Sequence, residues 1–387
     1  MKIVVIGGGP SGLYFALLTK KNFPDADIQV YEQNPRGATF GFGIILADRG
    51  LGRMQRADVE SAQAILDACY VTRHQVITHR GESIFIERDA FGGAISRLRL
   101  LEVLEASCSR HDINMYFDAR IENFSRFDDC DLVVGADGVN SVVRQSADFG
   151  TTTTYLTNRI AWCGTTRHFP YPMITFKTTA YGHFWAVAYP YTETMSTFVA
   201  ECDAEAWDRS GVAQMDETQG VKFAERIFAE ELQGHALISN NSLWRALPVT
   251  RNCKWHAGNR VLIGDALHSA HPSIGSGTRI AMEDAIDLAG CLKQSPNDVS
   301  AALIAFESLR GPSKQKMIDA MDKSVEWYEN VGEKLTRFDV VDLAFDYMMR
   351  TGRISEERLR REYPNFMNGN EERWNAWTRR AAMNTAA

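Results

Sequence analysis

The residues best suited to chemistry near the start of this sequence are three glycines with the spacing Gly7-x-Gly9-x-x-Gly12, which follow the apolar run Lys2 to Ile6. An apolar run, a glycine turn and a second apolar run predict a buried strand, a tight turn and a helix. Gly7 allows the turn, Gly9 lets the backbone approach a pyrophosphate, and Gly12 lets the helix pack close to the strand. Because the helix N-terminus offers free N–H groups to an anion, the pattern indicates a dinucleotide site.

The acidic residue Glu32 supports this interpretation. It follows the second apolar run, Ile28 to Tyr31, about twenty residues beyond the glycines, where an acidic side chain accepts hydrogen bonds from ribose hydroxyls. A glycine triplet by itself also fits a simple helix-packing turn. The strand before it, the helix after it and the acid at this distance together favour dinucleotide binding.

A second glycine turn occurs late in the chain. An apolar run ends at Gly264-Asp265, and a loop containing Gly275-x-Gly277 leads to a helix that is predicted to begin at Thr278. Such a turn presents free N–H groups at a helix N-terminus to an anionic or electron-rich ring. Asp265 is placed to hold a ribityl or ribose hydroxyl, or a water molecule near the pyrophosphate.

Two histidines in this loop, His268 and His271, are three residues apart, a spacing that is also compatible with metal ligation. Neither a nearby acid nor a third histidine accompanies them, so no metal site is predicted. The seven cysteines are scattered without a CxxC pair, which also argues against a zinc site and indicates reduced thiols.

Two further positions could contact the same cofactor. Arg97 lies in the first turn of the helix predicted over Ala94 to Ser109, from where it could reach a phosphate or a ribose; a solvated helix charge is the alternative. Asp137 and Gly138 end another buried strand, and Ser141 is placed to cap the helix that follows.

The elements that must position these groups change character along the chain. Val71 to Ile86 alternates like a hairpin, and Ala119 to Phe124 is predicted to be a short strand. The glycine-rich stretch Phe40 to Leu46 predicts either backbone that a flat ligand approaches or a bulged strand. Runs rich in aromatic and β-branched residues predict an antiparallel sheet, and these are Ile160 to Thr166, Met173 to Thr178, His183 to Tyr189 and Ser196 to Glu201.

Composition limits the kinds of protein that remain. At 387 residues the chain is long enough for two domains or one large interleaved one. A net charge of −7 and a pI near 5.8 argue against a nucleic-acid surface. A strand at residue 2 leaves no room for a signal peptide, and no apolar run approaches the length of a membrane span. We therefore expect a cytoplasmic protein.

Several motifs resemble those of the FAD-dependent aromatic hydroxylases of the para-hydroxybenzoate hydroxylase type. They occur in the same order over nearly the whole chain: GGGPSG at 7–12, FGFGIIL at 40–46, GADGVNSVVR at 135–144, VLIGDALHSAHPSIGSGTRIAMEDA at 261–285 and VEWYENV at 325–331. Within the family, the details look most like the salicyloyl-CoA 5-hydroxylases, the anthraniloyl-CoA monooxygenases and the tryptophan hydroxylase of violacein biosynthesis. The flavin-side loop departs from that group at Pro272.

The resemblance implies an α/β (α+β) fold in which a Rossmann-like FAD-binding domain is interleaved with an antiparallel-sheet substrate domain and followed by C-terminal helices. The implied division is listed by residue number: FAD-binding parts at 1–70, 94–158 and 251–330, a substrate-domain hairpin at 71–93, the substrate sheet at 159–250, and C-terminal helices at 331–387. NADH or NADPH would reduce FAD, and a flavin C4a-hydroperoxide would hydroxylate an aromatic ring.

Site residues are carried over from the family motifs in the same way. Those assigned to the reaction are His271, Pro272, Gly275 and Gly277. Those assigned to the cofactor are Gly7, Gly9, Pro10, Ser11, Gly12, Glu32, Gln33, Arg97, Asp137, Gly138, Asp265, Gly275, Gly277 and Thr278. The glycine turn and Glu32 would bind the adenosine half, Arg97 and Asp265 the middle, and the turn from Gly275 to Thr278 the isoalloxazine.

The implied substrate is an aromatic small molecule or an aryl-CoA such as salicyloyl-CoA, with O2 as the second substrate. Arginines at the C-terminus, including Arg360 and Arg361, would then form a positive surface for the CoA phosphates; a helix with a solvated charged face is the alternative. A free aromatic substrate such as tryptophan and a non-catalytic flavin-fold protein remain alternatives. A monomer or homodimer is expected.

Overall fold

The computed structural model describes residues 1–269 and 271–385, without the side chains of residues 47–50, 88–92 and 381–385. Within that part of the chain sixteen strands are present: β1 (Lys2–Ile6), β2 (Asp27–Tyr31), β3 (Gly43–Ala47), β4 (Tyr70–His79), β5 (Glu82–Ser96), β6 (Asn114–Tyr116), β7 (Leu132–Gly135), β8 (Thr151–Tyr155), β9 (Arg159–Thr165), β10 (Met173–Thr179), β11 (Gly182–Pro190), β12 (Ser196–Cys202), β13 (Leu237–Ile238), β14 (Pro248–Asn252), β15 (His256–Ala257) and β16 (Arg260–Leu262).

The described residues also form fifteen α-helices, which become more frequent towards the C-terminus: α1 (Pro10–Asn22), α2 (Asp48–Ala57), α3 (Val59–Asp67), α4 (Arg97–Arg110), α5 (Val142–Gln145), α6 (Ala204–Ser210), α7 (Glu217–Ile227), α8 (Ala229–Leu232), α9 (Gly277–Gln294), α10 (Val299–Glu329), α11 (Val331–Arg337), α12 (Val340–Met349), α13 (Glu356–Glu362), α14 (Pro364–Gly369) and α15 (Glu371–Thr385).

A six-stranded sheet carries the first glycine turn. Its order is β15-β16-β7-β1-β2-β6, and all pairs except β15–β16 are parallel. The strand β1 lies in the middle of the sheet, where Val5 pairs with Val30 on one side and Val134 on the other. Because both faces of this strand are covered, its residues from Ile3 onwards are apolar without alternation. Helices α1, α4 and α9 pack on one face of the sheet.

An eight-stranded sheet forms the second layer, in the order β13-β9-β12-β11-β10-β4-β5-β3. It is antiparallel except for β4 beside β10, where Ile77 pairs with Ile174. Side chains along β11 alternate between its two faces: Phe184 packs with α7 and α8, whereas Trp185 packs with α10 and α12. The sheet is therefore covered by helices on both faces.

Most predicted elements are present, and the mixed α/β fold class is confirmed. The hairpin and the four aromatic strands all occur in the eight-stranded sheet. The prediction of a strand over Ala119 to Phe124 is wrong, because the segment is coil and pairs with no strand in the described part of the chain. Ile121 is buried between exposed neighbours, and this alternation resembles that of a strand. The helix predicted from Ala94 begins at Arg97, because β5 continues to Ser96. The six-part domain division stays a prediction.

Candidate active site

A cavity of about 720 Å³ lies between the two sheets and reaches the C-terminal helices. One end is lined by the first glycine turn, at Gly9 to Ser11, and by Arg97. The loop 271–278 borders the middle. The opposite end, called the ring end here, is lined by Val187, Val199, Glu201, His271 and Tyr328. Groups predicted from distant parts of the sequence thus share one cavity.

The first glycine turn has the geometry that its sequence predicts. Gly7 has a φ of +108°, which favours glycine. At Gly12 an added Cβ would overlap with the carbonyl oxygen of Gly7, so the close approach of α1 to β1 requires glycine there. Gly9 has open space at the Cβ position. Pro10 and Ser11 begin α1, and the three residues from Gly9 to Ser11 line the cavity.

Glu32 lies directly beside this turn. Its Oε2 accepts a hydrogen bond from the Gly8 N–H at 2.8 Å, and its Oε1 accepts one from the Asn34 N–H at 2.8 Å. Oε1 also accepts a hydrogen bond from the Asn34 side-chain amide at 2.6 Å, and because a carboxylate accepts about four hydrogen bonds, about one position remains for a ribose hydroxyl. Gln33 is exposed next to it.

We expect replacement of Glu32 by alanine to weaken FAD binding by about 1–3 kcal/mol, because charge-assisted hydrogen bonds to the ribose would be lost. The measurement is the dissociation constant of FAD from reconstituted apoprotein. Asp25→Ala serves as the control, since Asp25 is an exposed acidic residue outside the cavity lining, and should change the constant little. Unaltered FAD retention in the Glu32 variant would remove this residue from the site.

Arg97 and Asp265 face the same cavity from different elements. The Nε atom of Arg97 is buried and has no hydrogen-bond partner among the described residues. Burial lowers the pKa of Arg97, while Asp265 and Glu32 act in the opposite direction. Burial also raises the pKa of Asp265, although the side chain is accessible from the cavity. A guanidinium with an unpaired Nε–H beside a carboxyl is suited to a phosphate and an adjacent hydroxyl.

Asp137 is placed differently from the other predicted residues. Its Oδ2 accepts hydrogen bonds from the N–H groups of Val142 and Val143, at 2.7 and 3.2 Å. It thereby supports the N-terminus of α5, which Ser141 caps as predicted. The cavity wall at this point is formed by Ala136 and Gly138. Contact between the Asp137 side chain and a cofactor therefore stays a prediction.

The loop 271–278 contains the residues assigned to the reaction. Pro272–Ile274 forms a single 3₁₀ turn, Gly275 follows with a φ of +56°, and Gly277 is the first residue of α9. Thr278 is the next residue of the helix and also lines the cavity. From the C-terminal side, Arg350 donates to the carbonyl oxygen of Ser273 at 2.6 Å.

A buried ion-pair network lies beneath the second glycine turn. Asp284, fully buried on α9, accepts hydrogen bonds from Arg310 Nε at 2.9 Å, Lys314 Nζ at 2.5 Å and the Gly264 N–H at 3.0 Å. Burial would raise the pKa of Asp284, but Lys314 and Arg310 outweigh it and hold the pKa below its usual value. His268 is buried near this network. Among residues 1–269 and 271–385, no group of three or more His, Cys, Asp or Glu side chains is placed to hold a metal ion.

At the ring end, Glu201 is the central polar group. It is 6 % exposed, and burial raises its pKa to about 8. Its Oε2 accepts a hydrogen bond from the Trp185 indole N–H at 2.9 Å, and Trp185 stacks on Tyr328 with ring centroids 5.6 Å apart. The Nε2 atom of His271 lies 4.0 Å from Glu201 Oε1.

Comparison with known proteins identifies the family. The sequence family described as "FAD binding domain" matches residues 121–320. A salicyloyl-CoA 5-hydroxylase from Streptomyces sp is 34% identical over 370 residues, covering 91% of this chain and 70% of the relative. The chain belongs to the FAD-dependent aromatic hydroxylases. It is thus a flavoprotein aromatic monooxygenase.

Two other relatives of this hydroxylase match over most of their length. A 3-hydroxy-4-methyl-anthranilyl-[aryl-carrier protein] 5-monooxygenase from Streptosporangium sibiricum is 33% identical over 365 residues, covering 94% of this chain and 97% of the relative. A protodeoxyviolaceinate monooxygenase from Chromobacterium violaceum is 32% identical over 346 residues, covering 87% and 91%. The structure of 2-methyl-3-hydroxypyridine-5-carboxylic acid oxygenase shares the fold, with a TM-score of 0.71 at 19% identity over 94% of this chain and 98% of that one.

The hydroxylase offers surroundings that fit FAD. Bare backbone at Gly9 and Gly138 leaves open space for a pyrophosphate, and the unpaired Nε of Arg97 needs an acceptor. Glu32 retains about one acceptor position for a ribose hydroxyl. None of the described helices is long and apolar enough to cross a membrane.

Sequence reasoning missed two polar groups of the ring end, Glu201 and Tyr328, and the contact of Arg350 with the loop 271–278. One signal was present for Glu201, because it is the only acid in the strand Ser196–Cys202, whose seven residues are all buried. Tyr328 and Arg350 lie at the ends of C-terminal helices, α10 and α12. Nothing local in their sequence indicates that these helix ends meet at the hydroxylase cavity.

Proposed function

We propose that this chain hydroxylates the aromatic ring of an aryl thioester such as salicyloyl-CoA, with NADH or NADPH as the electron donor and O2 as the oxygen source. The observation that carries the proposal is one cavity joining the nucleotide turn, a largely apolar ring end and the C-terminal helices. Two of the relatives are named for an aryl-CoA and for an aryl group on a carrier protein.

FAD, when bound and reduced, supplies an activated oxygen atom derived from O2. The chain's own residues have four tasks. The turn at Gly9 and Glu32 binds the nucleotide half, Arg97 and Asp265 hold the middle, and loop 271–278 borders the ring. Trp185 and Tyr328 exclude water from the ring end.

The position of the C-terminal helices supports a substrate whose CoA portion extends beyond the ring end. Past Tyr347 on α12, the cavity is also lined by Ile354 and by Arg358 on α13. Arg360, previously assigned to CoA phosphates, is paired with Glu356 and Glu371 at 2.8 and 2.7 Å. These pairs neutralise the charge of Arg360, so we propose instead that the CoA portion contacts the residues that line the cavity beyond Tyr347.

A substrate panel tests the function. The FAD-loaded protein is assayed for NADH and NADPH oxidation with salicyloyl-CoA, anthraniloyl-CoA, the two free acids and tryptophan. The masses of the products are measured by mass spectrometry. Faster oxidation and a product heavier by one oxygen atom with an aryl-CoA would support the proposal. Turnover of tryptophan or a free acid but not of an aryl-CoA would overturn the thioester assignment; an indole substrate is the second candidate, because the violacein-pathway relative is 32% identical.

Substitution of Gly277 by valine is expected to lower FAD content, or to uncouple NAD(P)H oxidation from hydroxylation, because side-chain atoms at the start of α9 would block close approach of the flavin ring. Flavin absorbance per chain and the ratio of product to oxidised nucleotide measure the two effects. Gly290→Val is the matched control, since Gly290 lies in the same helix and an added Cβ there meets nothing within 4 Å. Fully coupled turnover in the Gly277 variant would show that the ring lies elsewhere.

A further inference from the structure

Glu201 and His271 come from opposite walls of the ring end, one from β12 and the other from the loop before α9. Their nearest atoms, Glu201 Oε1 and His271 Nε2, are 4.0 Å apart, which is too far for a hydrogen bond between them. Both side chains are more than nine-tenths buried and both line the cavity. The gap between these two atoms therefore borders the cavity at its ring end.

The surroundings of Glu201 favour its neutral form. The carboxyl is enclosed by Trp185 and Tyr328, with His271 opposite, and the carboxyl of Glu329 on α10 adds a like charge. Asn158 lies beside it without a well-formed hydrogen bond. Burial without a paired cation keeps a carboxyl protonated, and the Glu201 pKa of about 8 agrees with this. Since the indole N–H only donates, Oε2 is the acceptor and Oε1 carries the proton.

The protonation of His271 follows from its own hydrogen bond. Its Nδ1 accepts from the Ser273 backbone N–H at 3.1 Å, so in the neutral ring the proton lies on Nε2. Burial and the nearby Arg350 lower the pKa of His271 to about 4, which keeps the ring neutral at pH 7. Two donors, Glu201 Oε1–H and His271 Nε2–H, consequently face the same gap.

We propose that Glu201 and His271 form a two-donor clamp that binds a single hydrogen-bond-accepting oxygen of the aromatic substrate. An oxygen placed beside the 4.0 Å gap can accept from both donors at about 2.8 Å each. The oxygen is that of a ring hydroxyl or of the acyl carbonyl, since each offers two lone pairs. A ring amino group fits poorly because it brings N–H donors to donors. The clamp rests on the proposed function and adds a preference for hydroxyaryl over aminoaryl substrates.

The pH dependence of ligand binding tests the clamp. Salicyloyl-CoA is titrated into FAD-loaded protein between pH 6 and 9, with the change in flavin absorbance as the signal. Because the proton on Glu201 is lost as pH rises through about 8, wild-type affinity should be constant up to pH 7 and fall above pH 8. Among the other groups facing Glu201, the pKa of Tyr328 is raised well above 10 and that of His271 is about 4, so neither titrates in this range.

Three variants separate the clamp from a structural role. Glu201→Gln accepts from Trp185 with its oxygen and donates with its amide, so affinity at pH 7 should stay within a few fold and the decline above pH 8 should disappear. Glu201→Leu removes the donor and should lose at least tenfold at pH 7. Trp185→Phe removes a hydrogen bond that favours the ionised carboxyl, so the decline should move to higher pH. FAD content and circular dichroism verify folding.

The ligands identify the oxygen and separate this inference from the proposed function. An equal pH decline with benzoyl-CoA, which lacks the ring hydroxyl, assigns the carbonyl; a decline only with salicyloyl-CoA assigns the ring oxygen. An unchanged pH profile in Glu201→Gln, or full affinity in Glu201→Leu, overturns the clamp even if the thioester is hydroxylated. If thioesters neither bind nor react, the proposed function fails. The clamp survives that result only if 4-nitrophenol binds with an affinity that depends on Glu201. If 4-nitrophenol does not bind, or binds equally well without Glu201, the clamp fails as well.

Discussion

Replacing Asp284 with alanine is expected to destabilise the apoprotein by about 3–5 kcal/mol, because removing one member of a buried ion-pair network leaves uncompensated charges. Arg310 and Lys314, each 1% exposed, would lose their shared carboxylate. Burial already lowers the pKa of Lys314 to about 8, so this ammonium depends on its partners to remain charged at pH 7. The Gly264 N–H would also lose its acceptor, so FAD binding should weaken.

Urea unfolding followed by circular dichroism measures this effect. The carboxylate of Asp284 has a lowered pKa in the folded state, so its contribution is fully present above its ordinary pKa, about 4, and is lost as pH falls through the lower folded-state pKa. The difference between wild type and variant should shrink accordingly. Asp322→Ala is the control, since its pair with Arg251 is exposed and should contribute at most about 1 kcal/mol. A loss below about 1 kcal/mol for Asp284→Ala would show that the network adds little.

The second large effect is expected at the first glycine turn, where Gly9 and Gly12, three residues apart, should respond differently to the same added methyl group. In Gly12→Ala the new Cβ would overlap with the Gly7 carbonyl oxygen and crowd Val5 at 3.2 Å. Because a backbone carbonyl cannot move aside as a side chain does, we expect a loss of about 3 kcal/mol or more in the free energy of unfolding.

Gly9→Ala is the matched variant. Gly9 has a φ of −75°, which alanine adopts without strain, and an added Cβ meets nothing within 4 Å. The apoprotein should keep its stability, whereas the dissociation constant of FAD should rise at least tenfold because the methyl group projects where the pyrophosphate approaches. Urea unfolding of the apoprotein and FAD titration distinguish the two outcomes. Normal FAD affinity in Gly9→Ala would place the pyrophosphate away from this turn.

The sequence predicted best what depends on neighbouring residues. The strand Lys2–Ile6, its glycine turn and α1 form one local unit, and their order is visible in the residues themselves. The hairpin of β4 and β5 is also local, because Arg80 and Gly81 adopt the positive φ angles that a tight turn needs.

The features that the sequence did not predict depend on contacts between residues far apart in the chain. Ile95 has helical spacing with later leucines, yet it lies in β5 because Ile44 pairs with it. Glu201 has a special environment only because Trp185 lies opposite on β11 and Tyr328 comes from α10. Such contacts depend on how layers pack, which periodicity within one segment does not report.

The strand order of the six-stranded sheet also has a consequence for the growing polypeptide. Strand β7 pairs with β1 on one side and with β16 on the other, and five strands of the eight-stranded sheet, β9 to β13, are synthesised between Gly135 and Arg260. Only β3, β4 and β5 of that second sheet precede β7. A nascent chain emerging from the ribosome would therefore expose the unpaired edge of β7 until residue 262 has left the exit tunnel, and during that interval this edge is the place where chaperones or another chain would add a strand.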